Sequence, residues 1–366
     1  MKRFIVAAVA ALAPVLALSQ ILIGQTAGFT GTSAAGVQEI TEGAKLWLDA
    51  VNAKGGVNGQ KIELVSMDDK FDPALAAANA RQLIVDKNVV ALFLNRGTPH
   101  AEAILPLLEQ HGVALIAPST GAMVLHQPVK KHVFNVRAPY QREAERAVTH
   151  LRALGIDRIA VVYADDSFGQ DGLEGASKGF YRAGFSPTIA IKADRARPDY
   201  KDIVQQVEKS GSQAVVWIAS GTAVVEGIKV LRSAIPGVQI VTLSNNASTG
   251  FIKGLGAAGS GVMVTQVFPS ERAVAFALVR DATLLAKQKN MDLSPAMLEG
   301  YAGAKVLVEA LRRAGPNPTR AKVLAALEGL QKFDLGGFDI SFGPDDHTGM
   351  EYSDLSIVGS DGKFKR

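Results

Sequence analysis

The sequence predicts an α/β protein in two lobes, and three observations predict it. Short apolar, β-branched runs alternate with stretches of helical spacing, the pattern of βα units around buried parallel strands. Several of those runs end in small, hydroxyl-rich turns. At 366 residues the chain is longer than one core comfortably holds. The clearest unit spans residues 89–122. Apolar runs at 89–94 and 113–117 flank a helix at 101–110, whose Ile104, Leu105, Leu107 and Leu108 form one stripe. A crossover of that length favours parallel strands. The strands end in Arg96-Gly97-Thr98-Pro99 and Pro118-Ser119-Thr120-Gly121. Ligands of open α/β sheets bind beyond the carboxyl ends of the strands. Thr98 followed by Pro99 reads as a helix N-cap with proline at the first helical position, which aims free N–H groups at an anion. Each turn is equally readable as an ordinary βα connection.

The remaining elements follow in order. A strand at 21–26 runs into a Gly/Thr/Ser loop at 27–36, then a helix at 37–52 with Ile40, Ala44, Trp47, Leu48 and Val51 on one face. Gly55-Gly56 stops it, and Asn58-Gly59 turns tightly into a strand at 61–67. Asp72-Pro73 caps a helix that runs to about residue 86. After the 89–122 unit, a short strand at 133–137 leads out of the first lobe. Helices at 143–154, 172–183, 200–209 and 223–233 then alternate with strands at 158–163, 188–191, 214–219, 239–243 and 261–268. The chain turns helical at 271–289, 295–314 and 319–330 and closes with strands at 338–342 and 355–358. Late helices that return to the first lobe imply several crossings between lobes, which make a hinge rather than a tether.

Composition excludes whole classes. Hydrophobic residues are 48% and charged residues 20%, so the chain is globular. The net charge is +4, two of it from Lys2 and Arg3, and no basic cluster marks a nucleic-acid surface. Residues 1–19 read as an export signal: Lys2 and Arg3, an apolar run at 4–18, and small residues in Ala17-Leu18-Ser19, with cleavage expected before Gln20. Cysteine is absent, so no disulfide and no lipid-bearing cysteine is expected. The expected product is a free periplasmic protein.

No catalytic constellation emerges. Gly254, Gly256 and Gly259 match G-x-G-x-x-G, but no strand leads into them and a strand follows, so a dinucleotide reading fails on context. There is no P-loop and no nucleophile elbow. The six histidines show no i,i+4 pair. No cofactor, no metal and no enzyme activity is expected. Asp68-Asp69 at a strand end reads as a turn and helix-capping pair rather than an acid–base pair.

An ordered series of segments then carries a resemblance: GQTAGFTG at 24–31, EGAKLWLDAVNAKGGVNGQKIELVSMDDKFDP at 42–73, PLLEQHGVALIAPSTGA at 106–122, FNVRAPY at 134–140, RIAVVYADDSFGQDG at 158–172 and GSGVMVTQVFP at 259–269. Over essentially the whole mature chain the sequence resembles a type I periplasmic solute-binding protein of the branched-chain amino-acid class, the receptor of an ABC importer. The resemblance implies two Rossmann-like lobes joined by three crossovers, with the ligand in the cleft. Lobe 1 is expected at 20–138 plus 268–338 and lobe 2 at 139–267 plus 339–366.

The resemblance also implies site residues. Thr98, Ser119 and Thr120 match the hydroxyls that hold a ligand carboxylate, and Gly121 stands where a second hydroxyl residue is frequent. On the second lobe Phe168 matches a closing aromatic, and Ser220, Gly221 and Thr222 match a loop where an aromatic is usual. Amino-acid binders of this class place a carboxylate after the following strand for the ammonium; here that loop is Ser244-Asn245-Asn246. Asp165 or Asp166 is the candidate substitute, Asn245 a neutral one, and Phe268 a candidate apolar wall. An ammonium without a counter-charge is costly to bury. Two ligand readings therefore stay open: a neutral or branched-chain amino acid, or an aromatic or aliphatic organic acid or amide. The implied partners are that small molecule and the membrane permease, with the protein a monomer and no nucleic acid involved. The rival reading is a sensor that reports the same ligand to a receptor.

Overall fold

The computed structural model describes residues 20–365. The expected export signal at 1–19 lies outside the described residues. The first sheet contains β1 (Ile21–Ala27), β2 (Ile62–Asp68), β3 (Ala91–Phe93), β4 (Ala114–Ile116) and β5 (Val133–Phe134). Its order is β2-β1-β3-β4-β5 and all its pairings are parallel. Three helices connect these strands: α1 (Ala34–Ala53), α2 (Pro73–Arg81) and α3 (Thr98–His111). The second half carries α4 (Tyr140–Ala153), β6 (Ile159–Ala164), α5 (Ser167–Ala183), β7 (Ile189–Ala193), α6 (Tyr200–Lys209), β8 (Ala214–Ile218), α7 (Gly221–Ala234), β9 (Gln239–Thr242), α8 (Thr249–Leu255) and β10 (Met263–Gln266). Helices α9 (Ala277–Gln288), α10 (Pro295–Ala314) and α11 (Arg320–Glu328) follow, then β11 (Phe333–Asp334), β12 (Asp339–Ile340), β13 (Asp354–Val358) and β14 (Phe364–Lys365). The second sheet runs β14-β13-β10-β9-β8-β6-β7 and is parallel except for β13 and β14.

Each sheet is covered on both faces, which explains its nearly unbroken apolar strands. In β3, Ala91 and Phe93 face α1 and α10, while Leu92 faces α2 and α3. In β8, Val215 and Trp217 face α6 and α7, while Val216 and Ile218 face α4 and α5. This is the two-residue alternation of a strand buried twice.

The late helices return to the first sheet. Helix α10 lies on α1 so closely that a Cβ at Gly43 would stand 1.9 Å from the Met297 carbonyl oxygen, and one at Gly300 1.8 Å from that of Ile40. Only glycine fits at either position. The chain passes between the sheets three times, at residues 135–139, 267–276 and 341–353.

Several details differ from the sequence reading. The π-helical turn Gln82–Asp86 ends α2, and the helix expected from 271 begins at Ala277 after a run of turns. Helix α8 and strand β14 were not expected; α8 is short and its apolar residues, Phe251, Ile252 and Leu255, give too little periodicity to read. Gly254, Gly256 and Gly259 close α8 and the 3-10 turn after it, not a strand-to-helix loop. Within 339–366, Ile340, Phe342 and Met350 pack into the first core, and the chain rejoins the second sheet only at Asp354. Among the described residues no helix is long and apolar enough to cross a membrane.

Candidate functional site

Strands β3 and β4 end alike. Leu94 and Ala117, one residue beyond each strand, have φ of 52° and 50°, the left-handed region that side chains beyond Cβ disfavour. Such backbone persists where the surroundings hold it, and here it throws both following turns toward the second half of the molecule. The turns are tied by a parallel bridge between Arg96 and Ser119 and by the Ser119 N–H donating to the Asn95 carbonyl at 2.8 Å.

These turns form one wall of a cleft. Thr98 and Thr120 are buried with their hydroxyls 2.7 Å apart, and Ser119 Oγ accepts from Arg96 Nη1 at 3.2 Å. The helix cap differs from the expectation: Gly97 (φ 101°) is the N-cap and Thr98 is already helical, because the turn needs positive φ there and leaves the threonine hydroxyl free for Thr120. Gly121 is backed against the first crossing. A Cβ would stand 2.6 Å from the Ala138 carbonyl oxygen, so no hydroxyl residue fits.

The opposite wall comes from the second half. Ser220 is the N-cap of α7 and accepts from Asn245 Nδ2 at 3.0 Å. Asn245 also donates to the Ala219 carbonyl at 3.1 Å. Phe168 is buried edge-on to Tyr140, their ring centroids 4.8 Å apart. The two walls touch. Arg96 Nη2 donates to the Asn245 carbonyl oxygen, the Thr222 N–H donates to the Thr32 carbonyl at 3.2 Å, and the Arg195 guanidinium lies 4.6 Å from the centroid of the Phe71 ring. A Cβ on Gly221 (φ 59°) would lie 1.9 Å from the Thr32 oxygen, so glycine there sets how closely the walls meet. At the centre, between Thr98, Ser119, Phe168 and Ser220, about 10 Å³ of water-accessible volume is left, room for one water. Beside it, past Arg96 and Asn245, a cavity of about 190 Å³ opens between the N-terminal ends of α1 and α7.

Two expected residues lie elsewhere. Asp165 is exposed and pairs with Lys192 at 3.2 Å, outside both cavities. Phe268 is packed in the first core. Asp166, the alternative to Asp165, lines a neighbouring small pocket but caps α5 through the Gly169 N–H at 2.8 Å and pairs with Arg195.

Sequence reasoning missed Arg96, Tyr140, Phe71 and Ser33. Arg96 is only 6% exposed, and burial lowers its pKa from the usual arginine value. A second buried arginine, Arg137, sits in the first crossing with its guanidinium carbon 4.4 Å from the Tyr140 ring centroid. It pairs with Glu143, donates to Ser244 Oγ at 2.9 Å and lies 3.8 Å from Glu299. Burial opposes its charge most strongly, but Glu143, Tyr140 and Glu299 together outweigh that and raise its pKa above the usual arginine value. Among the described residues no group of His, Asp or Glu has the arrangement of a metal site.

The family model described as Periplasmic binding protein matches residues 20–363. The Leu/Ile/Val-binding protein homolog 3 of Brucella melitensis is 23% identical over 85% of this chain and 84% of its own length. A substrate-binding periplasmic protein from Ralstonia solanacearum superposes with a TM-score of 0.86 at 29% identity, over 94% of this chain and 99% of that one. A possible leucine/isoleucine/valine-binding protein from Rhodopirellula baltica gives 0.89 at 25% identity, over 95% and 97%.

Proposed function

Since the chain belongs to the periplasmic binding protein family, we propose that it is the exported receptor of an ABC importer, capturing a small carboxylate-bearing solute between its lobes and presenting it to a membrane permease. The carrying observation is the cleft wall in which Thr98, Ser119 and Thr120 stand with Arg96 at the carboxyl ends of β3 and β4. Hydroxyls and a guanidinium there suit a carboxylate. Amino acids of the branched-chain or neutral type are the solute class suggested by the names of the relatives. Export to the periplasm rests on the signal-like residues 1–19.

The action is hinge closure. Three crossings at residues 135–139, 267–276 and 341–353 let the walls part and meet without sliding. A solute that touches both walls favours the closed arrangement by the difference between its affinities for the closed and open forms. No bond is made or broken in this cycle.

Thermal-shift and calorimetric titration of the purified protein with amino acids and short organic acids tests the reading. At least one such solute is expected to raise the melting temperature and to compact the protein in solution scattering. Indifference to every carboxylate-bearing solute overturns it.

A further inference from the structure

The proposed capture of a carboxylate leaves the charge of the solute open, and the surroundings of Arg96 bear on that. Its guanidinium is buried at the junction of the cleft centre and the cavity of about 190 Å³. Its hydrogen-bond partners are neutral: the Ser119 hydroxyl and the Asn245 carbonyl oxygen. The carboxylates nearest in effect are occupied. Glu299 lies 3.8 Å from Arg137, and Glu39 accepts from the N–H groups of Thr249 and Gly250 and from the Ser294 hydroxyl. Glu226, at the exposed mouth of the cavity, pairs with Lys229 at 3.0 Å. Among the described residues Arg96 therefore makes no ion pair, while Arg137 has two.

The cavity beside Arg96 is shaped for an amphiphile. Ala35, Val225 and Phe251 give it an apolar side. At the Arg96 end, Ser33 Oγ and Asn245 Oδ1 are buried without a hydrogen-bond partner; Ser33 is the N-cap residue of α1, but its side chain makes no capping hydrogen bond. Gly36 leaves the guanidinium face open, since a Cβ there would lie 3.3 Å from Nη2. The volume is of the order of a cavity that takes a benzene ring, about 150 Å³. The two unpartnered oxygens are neutral. They can meet a hydroxyl or a water, but they bring no charge to an ammonium.

Resting on the proposed solute-capture role, we infer that the preferred solute is a small organic acid without an amine, its carboxylate paired directly with Arg96 and its apolar body held in the cavity between α1 and α7. A monoanion balances the buried guanidinium. A zwitterion adds a second cation to a space with no free carboxylate.

Calorimetric titration of the purified protein decides this with matched probes: 4-methylpentanoate, leucine, which is the same skeleton with an amine, and 4-methylpentanamide, which lacks the charge, with benzoate as an aromatic acid. The acids are expected to bind at least about tenfold tighter than leucine and the amide. Arg96→Met is expected to weaken acid binding by about ten- to hundredfold, the range for a charged hydrogen bond. Leucine binding as tightly as 4-methylpentanoate or tighter overturns the inference and leaves the solute-capture role standing. Acid binding undiminished in Arg96→Met also overturns it. Silence from all four probes and from the wider amino-acid panel removes the role and the inference together. The wild-type comparison of acid, amine and amide stands even if the variant does not fold.

Discussion

The hinge and the cleft each bury an arginine, and the two are solved in opposite ways. In the hinge, Arg137 meets Glu143 and Glu299, and Glu143 in turn accepts from the Ser244 N–H at 2.9 Å, the Ser244 hydroxyl at 3.1 Å and the Thr265 hydroxyl. In the cleft, Arg96 meets one hydroxyl and one carbonyl. Burying a charge costs several kcal/mol unless a partner returns it. The hinge recovers that cost within the chain, and the cleft does not. A self-sufficient network makes structure; an incomplete one makes a place for something else. Substitutions in the two regions should therefore register on different measurements.

The largest effect is expected at Glu143. Glu143→Gln strands the Arg137 charge and should cost about 3–5 kcal/mol of folding stability in urea unfolding. A loss below about 1 kcal/mol would show that the hinge pair is no more self-sufficient than the cleft.

His126 sharpens the same side of the comparison. It faces Thr348 in the third crossing, Nδ1 to Oγ1 at 2.8 Å, and burial lowers its pKa to about 4 from the usual 6.5. A histidine kept neutral by folding contributes stability that is whole above pH 6.5 and is lost as pH falls from 6.5 toward 4. His126→Asn should flatten that decline by up to about 3 kcal/mol, measured as the difference between the unfolding curves of the two proteins across this window. Identical pH profiles would remove it from the hinge account.

Cleft substitutions should move binding first. Thr98→Val keeps the shape and removes the hydroxyl that meets Thr120. Solute affinity should fall about three- to tenfold, about 1 kcal/mol, with the unfolding transition nearly in place. An unchanged dissociation constant would take Thr98 out of the wall. Arg96→Met, by contrast with Glu143→Gln, should leave unliganded stability within about 1 kcal/mol, because it deletes a charge that the chain does not pair. A loss of 3 kcal/mol or more there would make Arg96 a second structural arginine and erase the contrast. The smallest effect belongs to Asp165→Asn. With its carboxylate exposed and paired to Lys192, it should change stability by less than about 0.5 kcal/mol and leave binding as it was.

The architecture was legible because it is written in periodicity. Buried strands such as 159–164 and 214–218 admit no polar residue on either face, and helix α10 matches its predicted span, Pro295–Ala314. Boundaries failed where backbone conformation decides them. Thr98-Pro99 carries the signature of a cap, yet the positive φ of Gly97 moves the cap back by one residue. Residues 271–276 have helical composition, but turns bring the second crossing back to the first core before α9 can start. In the site, the hydroxyls stood out by residue type, whereas Arg96 did not. An arginine in a turn ordinarily faces water, and only the meeting of two walls from distant parts of the chain buries it. Asp165 failed for the complementary reason. It sits at a strand end like the wall residues, but its side chain points to Lys192 on the neighbouring strand.

The close approach of α1 and α10 at Gly43 and Gly300 sets an order of events. Helix α1 is made early, and the helix whose backbone it must touch comes only after the whole second sheet core from β6 to β10 has been made. Strands β6 to β10 are contiguous in sequence and can pair as they emerge. The first lobe has no such option: Ile40, Ala44 and Leu48 stay uncovered until α10 arrives. Long-range closures of this kind are slow because the loop entropy is spent before any contact repays it. A chain cut before Pro295 would thus expose the face of α1 permanently, and an intact one exposes it for as long as the late helices take to dock.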